Sequence, residues 1–160
     1  MTQHNLVIRR AEGSDAGTLA SLSAIPQALH VAAHPDLFKE PDPAELEHWY
    51  RVTLERASVA AWIAEIATTP VGYVLAVERE AEALPVCFAR RWLELDQIGV
   101  SASVRRHGVA RALADRVFEY AREQGFERVE LGTWAFNRDA QRAFEALGFV
   151  PQRLRYVRTV

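Results

Sequence analysis

Leu95-Asp96-Gln97-Ile98-Gly99-Val100-Ser101-Ala102-Ser103-Val104-Arg105-Arg106-His107-Gly108-Val109-Ala110-Arg111-Ala112-Leu113 reads as a strand, a tight basic turn and the opening of a helix. The strand, Trp92 to Val100, is peculiar. Strict alternation sets Glu94, Asp96, Ile98 and Val100 on one face and Leu93, Leu95, Gln97 and Gly99 on the other. Acidic residues followed by apolar ones on one face fit a bulge, or a place where the strand leaves its neighbour. The helix, Gly108 to Gln124, carries Val109, Leu113, Val117 and Ala121 on one stripe, and Gly125 stops it. Its N-terminus presents unpaired N–H groups and the positive end of a dipole, which suit a phosphate. Gly108 and Ala110 keep the turn free of bulk, and Arg105, Arg106 and Arg111 add positive charge. The same residues also describe a solvated basic turn with a glycine there for backbone reasons.

Working outward, Leu6 to Arg9 reads as a short strand. A helix capped by Ser14 or Asp15 runs to Leu29, with Pro26 ending or bending it. Asp42-Pro43 opens a second helix to about Glu55. Ser58–Ala67 and Val71–Glu78 form an antiparallel hairpin around a Thr68-Thr69-Pro70 turn, and a loop covers Glu80 to Arg90. Beyond Gly125, Val129, Leu131 and Thr133 make a strand, Asn137 caps a helix over Arg138–Leu147, and Gly148 ends it. Phe149 to Val157 should hold a closing strand. This order predicts an α+β or α/β sheet with helices on both faces.

Hydrophobic residues make up 49% and charged residues 25% of the 160, the balance of an ordinary globular chain and enough for one domain over residues 1–160. A formal net charge of -2 argues against a polycationic nucleic-acid or membrane binder. The one cysteine, Cys87, stands in apolar Leu84-Pro85-Val86-Cys87-Phe88 and reads as a small buried or half-buried hydrophobe. His30, His34 and His48 are too widely spaced for a metal site, so no metal is expected. No apolar N-terminal region or run of about 20 apolar residues is present, which makes the cytoplasm the default location.

Neither G-x-x-x-x-G-K-[ST] nor a G-x-G-x-x-G between strand and helix occurs. Arg105-Arg106-His107-Gly108-Val109-Ala110 instead resembles the [QR]-x-x-G-x-[GA] signature of GCN5-related N-acetyltransferases (GNAT), and Ala112-Leu113 continues it. Asn137-Arg138-Asp139-Ala140-Gln141-Arg142-Ala143-Phe144-Glu145-Ala146-Leu147-Gly148-Phe149 is similar to that family's N-x-x-A-x-x-[FY]-[YF]-E-x-x-G-F segment, at the expected distance. The opening Ile8 to Ala16 is similar to the family's first strand and helix start. The close resemblance covers roughly residues 92 to 150.

The resemblance implies a mixed, mainly antiparallel sheet of six to seven strands, with about four helices on both faces. A splayed strand pair would hold CoA. It implies acetyl transfer from acetyl-CoA, as co-substrate, to a primary amine of a small molecule or of a protein or peptide. Ile98, Gly99 and Val100 would meet the pantetheine arm, and the turn through Arg105, Arg106, His107, Gly108, Val109, Ala110 and Arg111 would take the pyrophosphate. Asn137, Ala140 and Phe144 would line the other side. Counting back eleven residues from Arg105 gives Glu94 as the base, with Asp96 as its substitute. A backbone N–H near Ile98 would polarise the carbonyl. Many relatives place a tyrosine acid where this chain has Phe144, which cannot donate a proton.

Trp49, Tyr50, Phe38 and Trp62 are candidates for an acceptor pocket or for the core, and Tyr120 and Tyr156 read as packing residues. Family habit implies a homodimer. Two other readings compete: an acetyl-CoA-binding regulatory module without turnover, motivated by Phe144, and an acyltransferase acting on charged transfer RNA, opposed by the net charge.

Overall fold

The computed structural model describes residues 5–160. Nine elements lead to the functional region: β1 (Leu6–Arg10), α1 (Ala16–Ala33), α2 (Pro43–Leu54), β2 (Val59–Ile66), β3 (Thr69–Ala81), β4 (Arg90–Val100), α3 (Val109–Glu123), β5 (Val129–Glu130) and α4 (Arg138–Ala146). Short 3-10 turns precede α1 and α3. The strands form one sheet in the order β1-β2-β3-β4-β5, antiparallel except for the parallel β4–β5 pair. The expected mixed α+β architecture is present, with five strands rather than six or seven.

Both faces of the sheet are covered, so the central strands are apolar on both sides. Ala60, Trp62 and Ala64 of β2 face α3, where they join Leu93, Leu95, Leu113 and Val117. Ala61 and Ile63 face the other way, against Leu19, Tyr50 and Leu75 under α1 and α2. The stripe read from the sequence of α3 is the one buried: Val109, Leu113, Val117 and Ala121. Truncating a fully buried residue such as Leu113 to alanine should cost about 2–5 kcal/mol.

Local signals hold where they are purely local. The Asp42 carboxylate accepts from the Ala44 and Glu45 N–H groups and Pro43 occupies the first turn of α2. Other elements depart. Helix α1 continues through Pro26 to Ala33, and Pro26 lies against the side-chain-free Gly99 of β4. The β2–β3 turn is Ala67-Thr68, both at positive φ, and Pro70 belongs to β3 opposite Glu65 at a register shift. Cys87 is exposed, not buried, because Leu84 to Phe88 form the tip of the β3–β4 loop with no layer above them. Strand β5 is two residues long. The closing strand expected over Phe149–Val157 does not form; residues 150–160 have no regular structure and stay exposed, Tyr156 included.

Candidate functional site

The fold is interrupted between β4 and β5. Their ladder consists of Leu93↔Val129 and Glu94↔Glu130, and beyond it Leu95–Val100 has no partner on that side among the described residues. A gap therefore opens along the second half of β4, bordered by alternate unpaired backbone groups of that strand.

A bulge sets the faces of β4. Its pairing with β3 shifts between Leu75↔Gln97 and Ala76↔Leu95, leaving Asp96 as the extra residue. Ile98 and Val100 consequently join Leu93 and Leu95 on the α3 side, which corrects strict alternation. Gln97 turns to the α1/α2 side, where its side-chain oxygen accepts from the Tyr50 hydroxyl at 2.6 Å and the Tyr73 hydroxyl at 3.2 Å. Gly99 is on this side too: a Cβ there would stand 2.6 Å from Tyr73 Cε1, so its lack of a side chain has a packing cause.

Both acidic candidates meet one cation. Arg79 Nε lies 3.4 Å from Glu94 Oε2 and its Nη2 3.6 Å from Asp96 Oδ1. Burial pushes the Asp96 carboxyl up from its ordinary range, the Glu94 charge adds to the shift, and Arg79 acts against it. Tyr50 and Tyr73 are raised as well, chiefly by burial, and Asp96 contributes to both.

The basic turn lies at the other end of β4. Gly108 caps α3 at φ 81° with no side-chain hydrogen bond, and Arg106 is also left-handed at φ 65°. The first N–H groups of α3 have no capping side chain, and a Cβ on Gly108 would meet nothing within 4 Å. Open donors beside open space suit a pyrophosphate. His107 Nδ1 is 2.8 Å from the Arg105 carbonyl oxygen, which ties the ring to the turn. Arg111 leaves the turn and donates to the Ala146 carbonyl at the C-terminus of α4.

Helix α4 carries no fully buried residue. Asn137 caps it by accepting from the Ala140 N–H, while Ala140 and Phe144 stay half-covered. An amphipathic helix whose apolar side the protein leaves half-covered borders a space that an apolar arm can fill. The residues present thus fit CoA: donors at the helix end, an unpaired strand edge, and an apolar flank.

Of the aromatic candidates, Trp62 is core beneath Arg10 and Arg116, and Tyr120 packs on it. Tyr50 is buried and Trp49 stacks edge-on against it. Phe38 joins a group that sequence reasoning missed, in which His30 stacks on Phe38 and His34 packs against Trp134 and Phe136. This group bridges the end of α1 and the loop after β5. Burial holds His30 below the usual imidazole range, so it is neutral at pH 7. No sequence spacing links His34 to Trp134; only the closure of the fold brings them together. Arg79 and Gln97 were missed for the same reason.

Residues 26–149 match the model of the acetyltransferase (GNAT) family. The N-acetylaspartate synthetase of Danio rerio is 29% identical over 119 residues, covering 74% of this chain and 38% of that protein. A probable N-acetyltransferase of family 8 from Mus musculus is 34% identical over 88 residues, covering 55% and 37%. The chain thus spans well under half the length of these curated relatives. Among solved structures, a tetramutant protein from Bacillus halodurans superposes with a TM-score of 0.90 at 19% identity over 96% of this chain and 99% of that one. An aminoglycoside N-acetyltransferase in complex with CoA superposes with a TM-score of 0.77 at 20% identity over 97% and 95%.

Proposed function

Since the chain belongs to the GNAT acetyltransferase family, we propose that it moves the acetyl group of acetyl-CoA to a primary amine of a small molecule or of a protein or peptide. The observation that carries this reading is the unpaired second half of β4, flanked by the uncapped N-terminus of α3 at one end and the Glu94/Asp96 pair at the other.

Acetyl-CoA supplies a thioester whose acetyl group passes to the amine nitrogen, the C–S bond breaking as the C–N bond forms. The chain's own residues bind, orient and move one proton. Backbone N–H groups from Arg106 to Ala110 hold the pyrophosphate, and the edge at Ile98 and Val100 pairs with the pantetheine amides. An N–H near Ile98 would polarise the thioester carbonyl. On the α1/α2 side the Glu94/Asp96 pair attracts the ammonium and takes its proton, leaving a neutral nucleophile. Asp96 is the better acceptor near neutral pH because burial and Glu94 both raise its proton affinity. Phe144 donates nothing, so the sulfur leaves as thiolate or takes a proton from water.

The same reading makes residues 1–160 one acetyltransferase domain. No helix among the described residues is long and apolar enough to cross a membrane, and the cytoplasm is the compartment this reading takes. A homodimer belongs to it as well. The second reading, an acetyl-CoA-binding regulator without turnover, rests on Phe144.

The test is acetyl-CoA-dependent thiol release over a panel of polyamines, arylalkylamines, amino acids, aminoglycosides and N-terminal peptides. Turnover on one amine class that falls in Asp96→Asn or Glu94→Gln, with CoA binding intact, supports the enzyme. Tight CoA binding without turnover on any amine favours the regulator, and absence of CoA binding sinks both.

A further inference from the structure

The proposed acetyl transfer gives no task to the Gln97 amide, although β3, β4 and α2 all meet at it. The bulge brings it there. Leu95 and Ile98 both turn to the α3 side, so the two residues between them, Asp96 and Gln97, stand side by side on the α1/α2 face. In an unbroken strand neighbours point to opposite faces, and these two side chains could not meet.

The carbonyl end of the amide is fixed. Tyr50 donates to Oε1 at 2.6 Å from α2, and Tyr73 donates to it at 3.2 Å from β3. The first is a short O–H···O bond and the second a long one, so Tyr50 is the stronger anchor. Both rings are 1% exposed and packed edge to face at 6.4 Å, so neither hydroxyl swings out to solvent. Two donors occupy both lone pairs of one carbonyl oxygen, and the N–H2 end is left to face away from them. On that side lies the Asp96 carboxylate. Burial raises its proton affinity, Glu94 adds to the rise, and Arg79 and then a hydrogen bond from Gln97 oppose it. Besides Glu94 and Arg79, the titratable groups facing this point are Tyr50 and Tyr73. Elsewhere α2 pairs Glu47 with Arg51, and the one histidine of α1, His30, is stacked on Phe38.

We propose that Gln97 is the positioning residue of this site: held at its carbonyl end by Tyr50, it fixes with its N–H2 end the orientation of the Asp96 carboxylate inside the bulge. That Asp96 accepts the ammonium proton rests on the acetyl-transfer reading; that Gln97 holds Asp96 rests on the bulge and the hydrogen bonds. A bulged residue has no ladder partner to fix it. Without Gln97 the carboxylate is steered only by Arg79, which Glu94 shares. A base must stand within hydrogen-bond reach of the ammonium it deprotonates, and a small misplacement there costs rate rather than cofactor binding.

The experiment pairs Gln97→Met, which keeps the length of the side chain and removes the amide, with Tyr50→Phe, which removes only the anchor. Two readouts are taken: the pH profile of kcat/KM on the amine that turns over, and the titration of the Asp96 carboxyl carbon by NMR, which needs no turnover. Loss of the N–H2 donor favours the protonated acid, so Gln97→Met should move the Asp96 titration and the acid limb to higher pH. Its kcat should fall roughly tenfold while the Kd for CoA stays within about twofold. Tyr50→Phe should shift both readouts in the same direction by less. It should add nothing once Gln97→Met is present, because Tyr50 acts through the amide. Circular dichroism and melting temperature report whether each variant folds, and if Gln97→Met does not, Tyr50→Phe carries the test alone. A titration and an acid limb left in place by the folded variants would overturn the proposal, as would a Tyr50→Phe effect undiminished in the double variant. A wild type that acetylates no amine, with the titration still displaced by Gln97→Met, sinks the transfer reading and keeps the hold of Gln97 on Asp96.

Discussion

The Arg79 guanidinium stands 3.6 Å from the Asp96 carboxylate across the β3–β4 ladder, at the one residue that the bulge leaves without a ladder partner. The same cation reaches Glu94, so two like charges share one counter-charge while burial raises the proton affinity of Asp96. If Asp96 is the base, activity rises with pH as it ionises. The acid limb of the kcat/KM profile should then lie above the ordinary carboxylate range. Arg79→Gln should move that limb up, and Glu94→Gln should move it down. A limb that ignores both substitutions removes Asp96 from the base role.

The same shift has a consequence for stability with a defined sign. The folded-state pKa of Asp96 is raised above its unfolded value, so its contribution is fully present below the unfolded pKa and is lost as pH rises through the folded one. Above that range the ionised carboxylate is a cost. Asp96→Asn should therefore raise the melting temperature at pH 7, on the order of 2 °C, while lowering turnover. Thermal scans at pH 7 and pH 4 check it, the gain shrinking at the lower pH.

Arg9 and Asp15 behave in the opposite sense. Arg9 donates to both Asp15 oxygens at 2.8 and 2.9 Å, and its Nε reaches Glu65. The hydrogen bonds from Arg9 hold the Asp15 carboxyl below its usual range. Its stabilisation is present above the unfolded pKa and is lost as pH falls through the folded one. Arg9→Ala leaves a nearly buried carboxylate without its partner and should cost about 1–3 kcal/mol at pH 7. Urea titrations should show the gap to wild type narrowing below about pH 4.

Gly108 offers a separation of backbone from ligand effects. A Cβ there touches nothing, so Gly108→Ala pays for φ 81° alone, about 1–2 kcal/mol. If the turn holds a pyrophosphate, the added methyl stands where the phosphate approaches, and CoA affinity should fall about tenfold, as when a charge-assisted hydrogen bond is lost. Calorimetric titration of folded protein decides it: unchanged affinity leaves the solvated-turn reading in place.

What could be read from the sequence is what depends on neighbours along the chain. The Asp42-Pro43 cap, the Val109–Ala121 stripe and the Asn137 cap are set within a few residues and hold. The bulge was visible as acidic residues out of phase with apolar ones. The hidden part depends on partners across the fold. Arg79 meets Glu94 and Asp96 only through the strand register, and His34 meets Trp134 only when the end of α1 packs against the loop after β5. Cys87 looks like interior sequence because its neighbours are apolar, and Phe149 to Val157 reads as a strand, yet among the described residues no layer lies above the first and no strand pairs with the second. Propensity reports that a segment can be a strand; a ladder needs a second one.

Phe144 remains the residue on which the chemistry turns, because it occupies the place where the resemblance implies a tyrosine acid. Half-covered on α4 and packed against Phe149, it offers a ring and no proton. With thiolate departure unaided by a side chain, the wild-type kcat profile should rise to a plateau and show no descending limb from a phenol near pH 10. Phe144→Tyr adds one hydroxyl at that place without changing the ring. If protonation of the sulfur limits turnover, kcat should increase severalfold and a descending alkaline limb should appear, with KM for acetyl-CoA held within about twofold. An unchanged kcat and profile would mean that the thiolate leaves without help, so that the step before it, proton removal from the amine, sets the rate.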